Sequence, residues 1–206
     1  NSGTLAITGN AAFTAADGET ITLDDASNSF GGTVTFASGG PLADVTVVDT
    51  TALDLLALTL TGNLSATGAG LTDSGALVVP GTTTLVGGVG NDITLDTATN
   101  NFGTVVITSG TNVTLVDTNA IALGASTVSG ALSVTAGGAV TDSGALSVTN
   151  ATTVDADGFD VTLDHASNDF TGAIGITGAN VTIVDADTLD LGASTVSGTF
   201  DVTASA

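Results

Sequence analysis

Apolar and small polar residues alternate in short stretches along the whole chain. Leu132-Ser-Val134, Leu146-Ser-Val148, Val161-Thr-Leu163, Val181-Thr-Ile183 and Phe200-Asp-Val202 each set two apolar residues around one polar residue. Alternation of period two puts the apolar pair on one face of a strand and the Ser, Thr or Asp on the other. Gly, Asn, Asp and Ser fill the gaps, each able to make a tight turn. No window carries a capped helical period, and Val and Thr at this density disfavour helix. The pattern predicts an all-β chain of short strands and tight turns.

These stretches belong to a longer period. Ile21-Thr-Leu-Asp-Asp-Ala-Ser-Asn-Ser-Phe30 returns as Ile93-Thr-Leu-Asp-Thr-Ala-Thr-Asn-Asn-Phe102 and as Val161-Thr-Leu-Asp-His-Ala-Ser-Asn-Asp-Phe170. Val45-Thr-Val-Val-Asp49 recurs as Val113-Thr-Leu-Val-Asp117 and Val181-Thr-Ile-Val-Asp185, and Gly62, Gly130 and Gly198 keep the same offset of 68. Thr72-Asp-Ser-Gly-Ala-Leu77 matches Thr141-Asp-Ser-Gly-Ala-Leu146, with Ser2-Gly3-Thr4-Leu5 as a truncated copy. The chain therefore holds about three copies of a ~68-residue unit, at approximately 2–73, 74–142 and 143–206. The first copy is longer by four residues near Gly39-Gly40-Pro41-Leu42, where turn chemistry tolerates insertion.

Strands returning every ~17 residues suit a parallel β-solenoid whose coils stack about 4.8 Å apart. Four coils per period is the preferred division, and three coils of ~23 residues also divide it. A β-sandwich competes, but antiparallel sheets do not usually produce internal copies at a fixed offset. Four coils per period predicts some 12 coils and a rod of roughly 55–60 Å. Leu132, Leu146, Val161, Val181 and Phe200 are expected in one apolar column, and Val134, Val148, Leu163, Ile183 and Val202 in the next. The 206 residues read as a single solenoid region cut from a longer protein.

Composition narrows the function. The chain has no Lys, Arg, Cys, Met, Trp or Tyr, and its 21 acidic residues give a formal charge of −21. Without cations it cannot neutralise nucleic-acid phosphates, and an anionic membrane surface repels it. No apolar run is long enough to span a bilayer as a helix. Clamping of anionic substrates, thiol catalysis and cysteine zinc sites are all deprived of their residues. A hydrophobic content of 42% nevertheless marks a chain that folds. Asn1-Ser2-Gly3-Thr4 resembles no signal peptide, so a secretion signal is expected outside this segment.

Four sets of residues invite a chemical role. Asn28/Phe30, Asn100/Phe102 and Asn168/Phe170 form a recurring Asn-x-Phe, predicted to be a structural corner with Asn bonded to backbone and Phe in the core. Gly87-Gly-Val-Gly-Asn-Asp92 resembles a calcium-binding nonapeptide of secreted toxin repeats, and its counterpart offers Asp155, Asp157 and Asp160. These four carboxylates are the candidate calcium ligands, since a hard cation takes oxygen donors on tight turns. His165 replaces Asp25 and Thr97 in the repeat, so it reads as a lone exposed side chain. The carboxylate pairs Asp24–Asp25 and Asp185–Asp187 lack the aromatic and basic residues of a sugar-cleaving site, so no enzyme and no cofactor beyond calcium is expected.

Leu-Asp-x-Ala-x-Asn-x-Phe, Val-Thr-x-Val-Asp and Leu191-Gly-Ala-Ser-Thr-Val-Ser-Gly198 together resemble repeats of very large bacterial surface exoproteins, the filamentous-haemagglutinin-like and autotransporter-type adhesins. The resemblance implies a right-handed parallel β-helix that is secreted to the bacterial cell surface and forms a stalk or fibre there. It implies no catalytic residue, and leaves the surface receptor unknown. Two other classes stay open: a self-assembling extracellular filament, sheath or biofilm-matrix subunit whose ends stack on neighbours, and an ice-binding solenoid suggested by Thr82-Thr-Thr84 and Thr59-Leu-Thr61.

Overall fold

Strand after strand of the chain pairs with a segment roughly one coil further on, and every such pairing among the described residues is parallel. The structure, a computed structural model, describes residues 1–205. It is a parallel β-solenoid. Two long sheets run its length, one of ten strands and one of eleven, and each coil contributes a strand to both. No helix in it is long and apolar enough to cross a membrane.

The alternation seen in the sequence becomes burial. Val161 and Leu163 point inward and are fully buried, as are Val181 and Ile183, while Thr162 and Thr182 stand on the outer face. The register Val161–Val181–Phe200 confirms that part of the expected column. Leu132 and Leu146 do not belong to it. Leu132 stacks between Val113 and Thr152 in the ten-stranded sheet, and Leu146 stacks on Ser126 in a third, short facet.

The coil count corrects the expectation of four per period. Strand Val45–Val48 lies in the eleven-stranded sheet, its copy Val113–Asp117 in the ten-stranded sheet, and the next copy Val181–Asp185 in the eleven-stranded sheet again. Seven steps along that sheet separate the first from the third. Two repeats therefore make seven coils, and one repeat makes three and a half. Ten coils at about 4.8 Å give a stack of roughly 45 Å, shorter than the length expected from twelve.

The third facet obeys the same half-turn. Strand Leu58–Thr59 lies between Leu53–Leu55 of the ten-stranded sheet and Leu64–Thr67 of the other. Ser126–Val128 instead follows a strand of the eleven-stranded sheet and precedes Leu132–Ala136 of the ten-stranded one. The insertion also finds its place. Register partners Ile21 and Val45 are 24 residues apart, whereas their copies Ile93/Val113 and Val161/Val181 are 20 apart. The surplus loop is held by Gly40 N–H donating to Asp17 Oδ1 at 2.6 Å. It opens a cavity of about 440 Å³ beside Phe36, Pro41, Leu42 and Leu58.

Thr83 and Thr152 occupy the same place in successive repeats, fully inside the core, with hydroxyls that have no partner. Ala11 fills the place in the first copy. A buried hydroxyl without a hydrogen bond is destabilising, and Val has nearly its shape. Thr83→Val or Thr152→Val should each raise the unfolding free energy by about 1 kcal/mol in urea titrations. A loss of stability in both would show that these hydroxyls are satisfied in solution.

Candidate functional site

The residues that recur most strictly converge on one arrangement at a corner of the coil. Asn100 is wholly buried and uses all its polar groups. Its Oδ1 accepts from Leu77 N–H at 2.9 Å and its Nδ2 donates to Asp73 Oδ2 at 2.6 Å, both one coil earlier. Its own carbonyl accepts from Thr118 N–H at 2.8 Å, one coil later. One residue, through its side chain and its carbonyl, thus ties three coils. Asn168 repeats the set with Leu146 N–H at 2.9 Å, Asp142 Oδ2 at 2.6 Å and Ala186 N–H at 2.7 Å. Asn28 repeats it with Leu5 N–H at 2.9 Å and Thr50 N–H at 2.9 Å, and Asn1 Oδ1 at 3.2 Å takes the place of the aspartate.

A second buried group completes the bracket. Phe102 N–H donates to Asp117 Oδ2 at 2.6 Å, and Asn119 N–H donates to Asp117 Oδ1 at 2.8 Å. Phe170 and Asp187 make the same bonds to Asp185, at 3.2 and 3.0 Å. Phe30 and Thr51 share Asp49 Oδ1, at 3.2 and 2.9 Å, which leaves Asp49 Oδ2 buried without a partner. These three aspartates are only 1–3% exposed. Burial pushes the Asp117 carboxyl above the ordinary carboxylate value, opposed by its two N–H donors. Phe30, Phe102 and Phe170 lie beneath the bracket in the core, so Asn-x-Phe is a corner. Asp49, Asp117, Asp73 and Asp142 stand within the repeating motifs with no role legible from sequence, and Asp185 invites only a carboxylate-pair reading with Asp187. Their signal is the recurrence of an ionisable residue at an inward position of the alternation, as Asp117 follows Val113 and Leu115.

Two of the candidate calcium ligands serve a ladder on the outside. Asp92 Oδ1 accepts from Asn112 N–H at 2.9 Å and from Asn112 Nδ2 at 3.0 Å. Asp160 Oδ1 does the same for Asn180, at 3.0 and 2.9 Å. Each Asn passes the pattern on, to Ala131 N–H at 3.2 Å and Thr199 N–H at 3.1 Å. The recurring glycine makes room for it, since a Cβ on Gly130 would lie 2.6 Å from Asn112 Oδ1. Asp155 Oδ1 accepts from Asp157 N–H at 3.0 Å within a turn where Asp157 and Gly158 both have positive φ, 48° and 83°. Among the described residues no three His, Asp or Glu side chains converge as metal ligands.

His165 is half-buried rather than exposed. Its Nδ1 accepts from Ser167 N–H at 3.2 Å, which reproduces the bond of Asp25 Oδ1 to Ser27 N–H at 2.9 Å. The Asp185–Asp187 pair is divided, with Asp185 inside the bracket and Asp187 on the surface. Outward hydroxyls do form ranks. Thr72, Thr94, Thr114, Ser133 and Thr153 stand in register on one sheet, and Thr22, Thr46, Ser65 and Thr84 on the other. Of the Thr82–Thr84 triplet, Thr83 points inward and leaves the outer face to its neighbours.

Comparison with known families finds one match, to a model described as repeats of unknown function (DUF5649), over residues 1–37, 42–109, 110–177 and 178–206. The two central segments begin 68 residues apart, and the four-residue insertion falls between the first two. No curated protein and no solved structure matches the chain.

Asp117→Asn sets an amide Nδ2 against one of two N–H donors and should cost about 1–3 kcal/mol. In the wild type the folded chain holds the Asp117 proton more tightly than the unfolded chain does. The Asp117 contribution is full below pH 3.8 and is lost as pH rises through its raised folded value. Repulsion among 21 acidic groups grows over the same range. The melting temperature should therefore rise as pH falls from 7 towards 4.5, and a fall would contradict both arguments.

Proposed function

The chain belongs to the DUF5649 family of repeats, and we propose that it is a structural rod, a stalk or fibre segment of a secreted bacterial cell-surface adhesin. One observation carries the reading: the recurring residues are spent on holding coil to coil. Asn28, Asn100 and Asn168, the aspartates that face them and the outer Asp–Asn ladder all bond main chain or each other across coils. A protein that invests its repeats this way gains length and continuity.

The surface supports the same reading. A coat of carboxylates with no cation keeps rods apart and soluble. The absence of cysteine removes a target of oxidation outside the cell. The hydroxyl ranks are narrow and are broken or ended by Asp54, Asp155 and Asp201. They read as cross-strand ladders rather than as a flat lattice for ice.

Two measurements test this proposal. Antibody against the chain should label intact cells of the source organism, and labelling only after lysis would place it elsewhere. Adding one 68-residue unit should lengthen the rod by about 17 Å in solution scattering, at constant cross-section. Growth in width would refute a spacer. Calcium is tested alongside by melting at matched ionic strength, where a calcium-specific rise abolished by Asp157→Asn would give the ion a structural part.

A further inference from the structure

One copy of the repeat lacks a bridge that the other two make. Ile107 N–H donates to Ser126 Oγ at 3.0 Å, and that hydroxyl donates on to Gly124 C=O at 2.8 Å. Ile176 N–H, Ser194 Oγ and Gly192 C=O repeat the relay, at 3.0 and 3.3 Å. Register identifies the counterparts in the first copy. Phe36 lies beside Phe13 as Ile176 lies beside Val154, and Leu58 pairs with Leu77 as Ser126 pairs with Leu146. Leu58 therefore stands where the other copies have the serine. A leucine neither accepts nor donates, so Phe36 N–H and Leu56 C=O are left without the hydroxyl that joins their counterparts.

The cavity opens at this same seam, between Phe36 and Ala37 on one coil and Ala57 and Leu58 on the next. The inserted loop is the reason. Phe36 and Leu42, which bridges to Leu60, are six residues apart, whereas their counterparts Ile176 and Gly178, which pairs with Val196, are two apart. Ser38–Pro41 must therefore arch outward between two fixed points. The site is interior to the stack. Ala15 N–H and Gly18 N–H of the preceding coil hold the arch through Ala37 C=O and Pro41 C=O, at 3.1 and 3.0 Å. Leu58 N–H on the other side donates to Ala76 C=O of the coil after it, at 3.0 Å. The Phe36 ring stacks on Phe13, with centroids 6.0 Å apart, and the cavity lies towards the following coil.

We propose that this cavity binds a neutral sugar ring, one hydroxyl of which takes the place of the missing serine hydroxyl while its C–H face lies on Phe36. A hydroxyl is the group that can accept from Phe36 N–H and donate to Leu56 C=O at once. A volume of about 440 Å³ with apolar walls and a few polar groups is that of a small-ligand site. Charge selects a neutral ligand. An anion finds no Lys or Arg anywhere in the chain, and a cation finds no carboxylate among the lining residues. A water could join the two backbone groups, but it would leave the walls of Phe36, Pro41 and Leu42 uncovered. The rod reading needs no such ligand, so the two stand or fall separately.

The test is an amide NMR titration of the whole chain with glucose, galactose, mannose and N-acetylglucosamine, and with glucuronate as the charged control. A neutral sugar should shift the amides of Phe36, Leu42 and Leu58 saturably, and glucuronate should not. Leu58→Ser restores the hydroxyl of the other copies and should weaken binding by about tenfold. Excising Ser38–Pro41 together with Leu42→Gly recreates the third copy, which folds without the arch, and should abolish binding. Circular dichroism confirms that both variants keep the solenoid. A trisaccharide of the same sugar that binds more tightly than the monosaccharide makes a glycan chain the source, and equal affinity makes it free sugar. No saturable shift with any neutral sugar at concentrations on the order of tens of millimolar, or equal binding by the excised variant, would overturn the site and leave the cavity to water.

Discussion

A buried amide that no single coil can satisfy is the constraint on which this solenoid depends. Asn100 closes its hydrogen bonds only when the coil before it offers Leu77 N–H and Asp73, and the coil after it offers Thr118 N–H. Leaving such a group unpaired in the core costs about 1–3 kcal/mol, so the bracket penalises any slip of one coil on its neighbours. Phe102 and Asp117 lock the same corner from the other side. With most strands only two to five residues long and small side chains, apolar burial alone would define this register weakly.

The half-integral repeat follows from how the coil is built. Val-Thr-x-Val-Asp forms an inward-facing strand wherever it falls, because alternation asks only for a core on one side. The two long sheets supply equivalent cores, so a motif can move from one to the other at every repeat without losing its burial. Val45, Val113 and Val181 are each about 1% exposed or less despite lying on alternating sides.

The strands, the repeat and the parallel stacking were legible in the sequence because they are local or strictly periodic. The number of coils was not. Leu132 and Leu146 have the same Leu-Ser-Val signature as core strands, and nothing in that signature says that they sit on different facets. Counting strands as coils therefore overestimated the coils. The hydroxyl ranks were hidden for the same reason, since Thr72, Thr94 and Thr114 become neighbours only once the coil length is known. At the site, Asn-x-Phe announced itself as a corner. Its carboxylate partner did not, because Asp117 lies 15 residues from Phe102 and a carboxylate in a turn reads first as solvated. Asp92 and Asp160 suggested an ion for the same reason, and the structure shows an Asn amide donating to one oxygen of each.

The half-turn per repeat makes the parity of the repeat number a property of the molecule. Gain or loss of one unit by unequal recombination changes the length modestly but reverses the direction in which anything beyond it faces. Loss of two units restores that heading. Lineages that keep a distal element facing one way would then change their repeat number in steps of two.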